Sequence, residues 1–165
     1  MMDLLRTTAL VAATMAMGLF AGLFYTFAMS IMVALKRTDD RTFVAAMQWI
    51  NATIVNGWFA ISFFGSVVLS ALAAALHLRA DGRAVLPWIV AAIVCYGVTF
   101  VITMAVNVPL NNELAAAGDP DRNADLAAVR ERFEARWVRW NILRAVTSAA
   151  ALGCLVWALV LHGAL

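Results

Sequence analysis

Four long stretches of this sequence contain no Asp, Glu, Lys or Arg: residues 7–35, 42–78, 84–112 and 145–165. Each is long enough for a helix that crosses the bilayer core, which is about 30 Å thick and takes about 20 apolar residues. The composition agrees, because 64% of the residues are hydrophobic and 13% are charged, whereas a soluble domain has about 25% charged residues. The sequence therefore predicts an all-α integral membrane protein.

The expected architecture is a four-helix bundle formed by one domain, residues 1–165. We place its transmembrane spans near residues 9–34, 54–77, 85–107 and 142–162. A tight turn is expected at Leu78–Ala84, between the second and third spans.

Short polar helices are predicted on one face of this bundle. One lies in Lys36–Asn51, with Asp39 or Asp40 as its N-cap. The other covers Asp125–Arg139 and runs into the fourth span. Between the third span and this second helix, Pro109 makes a regular helix doubtful, since proline breaks a helix interior.

Basic residues predict the orientation. Lys and Arg concentrate in cytoplasmic loops, and most of those in this chain flank the first and third connections, which are therefore expected in the cytoplasm: Lys36, Arg37, Arg41, Arg122, Arg130, Arg132, Arg136, Arg139 and Arg144. The opposite side has Arg6, Arg79 and Arg83. We expect a multi-pass protein of the cell inner membrane. The net charge of +2 is too small to indicate nucleic acid as a partner.

Polar side chains gather at the span ends on the basic side. Helical spacing places Gln48, Asn51, Val55 and Trp58 on one face and Trp137, Asn141, Arg144 and Ser148 on another, with Asn107 and Asn111 at the end of the third span. Intramembrane polar residues usually face the bundle interior or a cavity. The sequence thus predicts a shallow polar cavity between three helices, although Asn and Trp also anchor helices at the interface.

Four motifs cover most of the chain, and together they resemble one family. They are Gly18-Leu-Phe-Ala-Gly-Leu-Phe-Tyr25, Gln48-x-x-Asn51, Asn107-Val-Pro-Leu-Asn111-Asn112 and Trp137-x-x-Trp140-Asn141-x-x-Arg144. This pattern resembles the anthrone oxygenase family, small four-span membrane proteins of which many bacterial members are catalogued as a domain of unknown function. The resemblance implies a membrane oxidoreductase that oxidises a lipophilic, anthrone-like aromatic with O2.

That chemistry suggests roles for the clustered residues. Arg144 is expected to stabilise an enolate oxygen, with Asn107 and Asn141 as further catalytic hydrogen-bonding groups. The expected substrate-binding residues are Asn51, Asn111, Trp58, Trp137 and Trp140. No cofactor or metal site is expected, since the chain has no ligand cluster of suitable spacing. Glu113 is the only acidic residue near the cluster in the sequence, and it is a candidate general base.

The same residues also fit other functions. The same cavity could serve a non-catalytic protein that binds a lipid, a small hydrophobic ligand or a partner membrane subunit. His77 and His162, expected at the membrane boundary, could in principle ligate one haem. Gly18 and Gly22 form a GxxxG motif, which fits packing within the bundle or a dimer, so self-association stays open.

Overall fold

The computed structural model describes residues 1–78, 83–122 and 125–164, so the turn predicted at Leu78–Ala84 lies largely outside it. Its helices in chain order are α1 (Met2–Thr26), α2 (Met32–Leu35), α3 (Asp40–Ile54), α4 (Gly57–Leu76), α5 (Leu86–Ile102), α6 (Val108–Ala116) and α7 (Leu126–Gly163). These described ranges contain no strand. The prediction of an all-α fold is confirmed.

Two short π-helical turns join helices end to end. Residues Phe27–Ile31 connect α1 to α2, and Thr103–Asn107 connect α5 to α6. The resulting long helices Met2–Leu35 and Leu86–Ala116, together with α4 and α7, are each long and apolar enough to cross a membrane. The chain is thus a multi-pass membrane protein built as a four-helix bundle.

The predicted polar helices are present. Asp39 caps α3, its carboxylate accepting a hydrogen bond of 2.8 Å from the Thr42 amide. Asp125 caps α7 in the same way through Ala128. With 38 residues, α7 is about 57 Å long and exceeds the bilayer core, so its polar N-terminal half projects beyond the span.

The prediction of one continuous stripe from Gln48 to Trp58 is wrong. The chain leaves the helix at Val55, whose ψ is 74°, and Asn56 then caps α4 by accepting a hydrogen bond of 3.1 Å from the Phe59 amide. Because α3 and α4 are separate helices, the spacing rule for a single helix does not apply across the break. Trp58 is consequently 83% exposed, on the outside of the bundle.

Pro109 does not interrupt the helix, contrary to the expectation from the sequence. It lies in the first turn of α6, directly after the π turn Thr103–Asn107, so the N–H that proline lacks falls where the helical hydrogen-bond pattern changes. The helix therefore resumes directly after the π turn. It ends before Gly118, whose φ of +76° reverses the chain direction.

Two hydrophobic cores are stacked along the bundle. The first is formed mainly by α1, α4, α5 and α7 and includes Leu10, Met17, Phe20, Phe63, Tyr96 and Leu155. The second lies at the basic end and includes Phe27, Phe43, Met47, Leu110, Phe133 and Trp137. Gly18 faces α7, since a Cβ on it would lie 3.7 Å from Leu152 Cδ1, which indicates packing within the bundle.

Candidate functional site

A cavity of about 420 Å³ lies where the two cores meet. Its wall is mostly aromatic and aliphatic, with a polar patch contributed by α3, the second π turn, α6 and α7. The polar residues on this wall are Asn51, Thr103, Asn107, Asn111, Asn112 and Arg144, and the aromatic ones are Phe24, Phe27, Phe59, Phe63, Phe64 and Trp137. A mostly apolar cavity with a few polar groups suits a small hydrophobic molecule that carries a few polar atoms.

Arg144 is the cationic centre of the cavity and is only 5% exposed. Its Nη2 donates to Asn141 Oδ1 at 2.9 Å, and its Nη1 donates to Thr103 Oγ1 at 3.5 Å. The guanidinium also lies over the ring of Phe24 at 4.5 Å and that of Trp137 at 5.3 Å. These π faces partly replace the hydration that the charge loses on burial.

No carboxylate among the described residues forms an ion pair with Arg144. Its Nε is buried without a hydrogen-bond partner in that part of the chain. An unpaired buried cation is costly, and an unused donor adds to this cost. The cavity is therefore electrostatically complementary to an anionic or strongly polar oxygen.

Two amides on the same cavity wall as Arg144 also have unused hydrogen-bonding atoms. Asn107 donates through Nδ2 to the Trp137 carbonyl at 3.5 Å, and its Oδ1 has no partner. Asn51 Nδ2 is likewise buried and unpartnered among the described residues. Native proteins rarely leave such groups unpaired, so two donors and one acceptor on this wall are free to bind a polar ligand.

The remaining predicted residues of the cluster hold this arrangement in place. Trp137 Nε1 donates to Asn111 Oδ1 at 2.8 Å, which fixes the indole against the cavity. Asn141 lies behind Arg144 rather than in the wall, and its Nδ2 donates to the Phe24 carbonyl at 3.2 Å. Asn141 thus contacts Arg144 without lining the cavity, and its catalytic role stays a prediction.

A sequence model of the anthrone oxygenase family matches residues 57–154, more than half of the chain. The chain belongs to the anthrone oxygenase family. The resemblance inferred from the motifs is confirmed. No curated protein sequence and no solved structure matches the chain.

The segment matched to the anthrone oxygenase family contains most of the polar wall. Asn107, Asn111, Trp137, Asn141 and Arg144 all fall inside residues 57–154. Asn51, Phe24 and Phe27 lie outside it and reach the cavity through tertiary packing.

Several residues that the sequence predicted for the site do not line the cavity. Trp58 and Trp140 do not line it. Gln48 instead donates to the carbonyls of Leu114 and Gly118, at the end of α6. Glu113 lies in a different surface depression beside Arg132, so it is not placed as a base for the cavity.

The sequence analysis did not identify several residues of the cavity wall. Among them, Phe24 and Thr103 contact Arg144 directly, and Phe59 and Phe63 stack on each other at 5.4 Å. The i, i+4 spacing of the two phenylalanines on α4 was the available signal. Nothing in the sequence distinguishes Thr103 from other hydroxyl residues in apolar helices.

The two histidines lie at the opposite end of the bundle, in an arrangement the sequence did not predict. His77 is fully buried instead of solvated at the boundary. Its Nε2 lies 3.3 Å from His162 Nδ1, and this direct contact leaves no room for a haem iron between them. Among the described residues, no group of three or more His, Cys, Asp and Glu side chains is placed to bind a metal ion.

Proposed function

We propose that this protein is a membrane oxidoreductase that oxidises a lipophilic, anthrone-like aromatic with O2. In the balanced reaction, the methylene carbon of the substrate becomes a carbonyl. One atom of O2 enters the product, and the other leaves as water with the two methylene hydrogens. The family membership supports this reaction class, and the cavity supplies a physical reason for it.

The observation that carries the proposal is the set of three unpartnered polar atoms on the wall of one hydrophobic cavity. Arg144 Nε and Asn51 Nδ2 are donors, and Asn107 Oδ1 is an acceptor. A phenolic ketone offers the complementary set, an oxygen anion that accepts and a hydroxyl that donates. The aromatic wall provides the surface for its rings.

Arg144 has the central role in this mechanism. The substrate reacts with O2 as its enolate, whose negative oxygen is stabilised by a fixed cation in a dry site. No Asp, Glu or His lines the described cavity. We therefore propose that water accepts the methylene proton of the substrate. Arg144 promotes this proton loss by stabilising the enolate that remains.

Access from the lipid fits both reactants. Val55, Phe64 and Met104 line the cavity and are also exposed on the outer surface of the bundle. A hydrophobic aromatic and O2 both partition into the bilayer, so they can reach the cavity laterally.

The test is turnover of an anthrone by the purified protein in lipid nanodiscs, followed by quinone absorbance and O2 consumption. Wild-type protein should exceed the spontaneous reaction with O2, and this excess should vanish without O2. Arg144→Ala should lower kcat about 100-fold, as for loss of a principal oxyanion donor. Arg144→Lys should fail nearly as badly, because an ammonium lacks the planar fork and stacks poorly.

The matched control is Arg139→Ala, which removes an exposed arginine from the same helix. It should leave turnover unchanged. Full activity of Arg144→Lys would contradict the proposed role of the guanidinium. Saturable binding of the anthrone without any turnover would support the alternative, a non-catalytic protein that binds hydrophobic ligands.

A further inference from the structure

A second buried polar cluster lies at the end of the bundle opposite the cavity. It joins α1, the end of α4 and the end of α7 through Thr7, His77 and His162. His77 is fully buried, His162 is partly buried and Thr7 is exposed. The cluster therefore leads from the aqueous surface into the bundle.

Hydrogen-bond geometry fixes the proton positions in the neutral cluster. His77 Nδ1 lies 2.7 Å from the Ala73 carbonyl, which can only accept, so Nδ1 carries the proton and Nε2 has a lone pair. His162 Nδ1 then donates to His77 Nε2 across 3.3 Å. This leaves His162 Nε2 as an acceptor for the Thr7 hydroxyl at 2.9 Å.

The Thr7 hydroxyl has a second acceptor within reach. Its Oγ1 lies 2.8 Å from the Asp3 carbonyl, so the hydroxyl hydrogen can point to His162 or to Asp3. When His162 Nε2 gains a proton, Thr7 donates to Asp3 and its oxygen accepts from Nε2. The cluster can thus take up one proton while every described hydrogen bond in it persists.

We propose that Thr7, His162 and His77 form a proton-binding relay, which takes one proton from the aqueous side and shares it between two imidazoles. The transfer is balanced: an O–H bond of a hydronium ion breaks, an N–H bond forms at His162 Nε2 and water is released, with no change in oxidation state. The cation is then shared through the hydrogen bond between His162 Nδ1 and His77 Nε2. This site is independent of the cavity and of its proposed oxygenase activity.

Among the residues that the structure describes, the charged groups facing the relay come from α1. They are Asp3 and Arg6, and Arg6 Nη1 lies 3.5 Å from Asp3 Oδ1 while its Nε donates to the Leu76 carbonyl at 2.9 Å. Arg6 opposes the added charge and Asp3 favours it. The relay also links α1, α4 and α7, so its proton occupancy is coupled to the packing of this end.

The experiment uses ¹⁵N-imidazole NMR of the full chain in micelles, where only two histidines contribute signals because the chain contains only His77 and His162. At high pH both rings should be in the Nδ1–H tautomer. On acidification, both sets of signals should move together with uptake of one proton. An Nε2–H tautomer at His77, or two independent titrations, would overturn the relay.

Thr7→Val tests the hydroxyl, and Thr14→Val is its matched control. Both threonines donate to a carbonyl four residues earlier in α1, but the described contacts place only Thr7 against a histidine. Thr7→Val should let His162 populate both neutral tautomers and should weaken proton binding severalfold. Thr14→Val should change neither property. If equimolar Zn²⁺ shifts both rings of the wild type at neutral pH, the site binds a metal instead and the proposal fails.

Discussion

Arg144 shows how a single residue can carry a charge inside a membrane bundle without an acidic partner. An arginine at the centre of a span costs about 2.5–3.5 kcal/mol on insertion scales. Here an amide, a hydroxyl and two aromatic faces compensate part of this cost. The remaining donor, Nε, has no partner among the described residues and is free for the oxygen of the proposed substrate.

The two asparagines next to Arg144 should respond differently to removal of their amides. Asn141→Ala deprives Arg144 Nη2 and the Phe24 carbonyl of partners, so it should lower the free energy of unfolding by about 1–3 kcal/mol. Asn107→Ala should cost less, because its one described bond is 3.5 Å long and its Oδ1 is unpaired. Denaturant unfolding in detergent measures both.

The same pair separates structure from ligand binding. Asn107→Ala should still weaken anthrone binding or turnover, since Oδ1 makes no hydrogen bond within the described protein and can accept one from the substrate. If Asn107→Ala unfolds the protein while Asn141→Ala does not, the assignment of the two roles is wrong.

At the level of helices, irregular backbone surrounds the cavity. The turn Phe27–Ile31, the turn Thr103–Asn107 and the break at Val55 and Asn56 each place a residue in its wall. π turns frequently occur at functional sites, since they insert an extra residue and redirect neighbouring side chains. The cavity thus depends on departures from regular helix geometry.

The start of α3 should depend on pH through its cap. Hydrogen bonds from Thr42 hold the pKa of Asp39 below its ordinary value of 3.8, so the carboxylate stabilises α3 fully above that value. The stabilisation is lost as pH falls through the lowered pKa of the folded state. Hydrogen exchange of the Thr42 amide should therefore accelerate, relative to the intrinsic rate, in strong acid.

Asp39→Asn is the matched variant for this prediction, because asparagine caps helices as well as aspartate does but has no charge to lose. Its Thr42 amide should stay protected across the same pH range. Equal acid sensitivity of wild type and Asp39→Asn would show that another group controls the effect.

At the level of the whole molecule, two stacked cores explain why a cavity exists at all. The first core and the core at the basic end share α7 but otherwise draw on different helices, and the cavity lies between them. Arg130 anchors the core at the basic end by donating hydrogen bonds to the carbonyls of Thr38 and Lys36. This contact holds the first connection against α7.

The orientation of the chain is predicted from its basic residues, with the first and third connections in the cytoplasm of an inner-membrane protein. The test begins with a variant in which Cys95 and Cys154 are replaced by alanine. Asp121→Cys in this background should resist a membrane-impermeant thiol reagent in intact cells, whereas Ala84→Cys should react. The opposite labelling pattern would reverse the orientation.

The sequence determined the membrane environment and the four apolar helices, and it left the cap of α3 open between Asp39 and Asp40. These features follow from local composition and spacing, which a chain displays before it folds. The family was indicated separately, by the resemblance of four motifs. The motifs also identified most of the polar cavity wall, because Asn and Arg are rare and conspicuous in apolar helices.

Only the tertiary structure decided which polar residues meet and which face outward. The break at Val55 turned Trp58 outward, the π turn aligned Thr103 with Arg144, and packing of α4 and α7 against their shared neighbours α1 and α5 brought His77 to His162. Such contacts join residues far apart in the chain. They depend on small backbone deviations and on which helices become neighbours, and neither is encoded in the periodicity of a single segment.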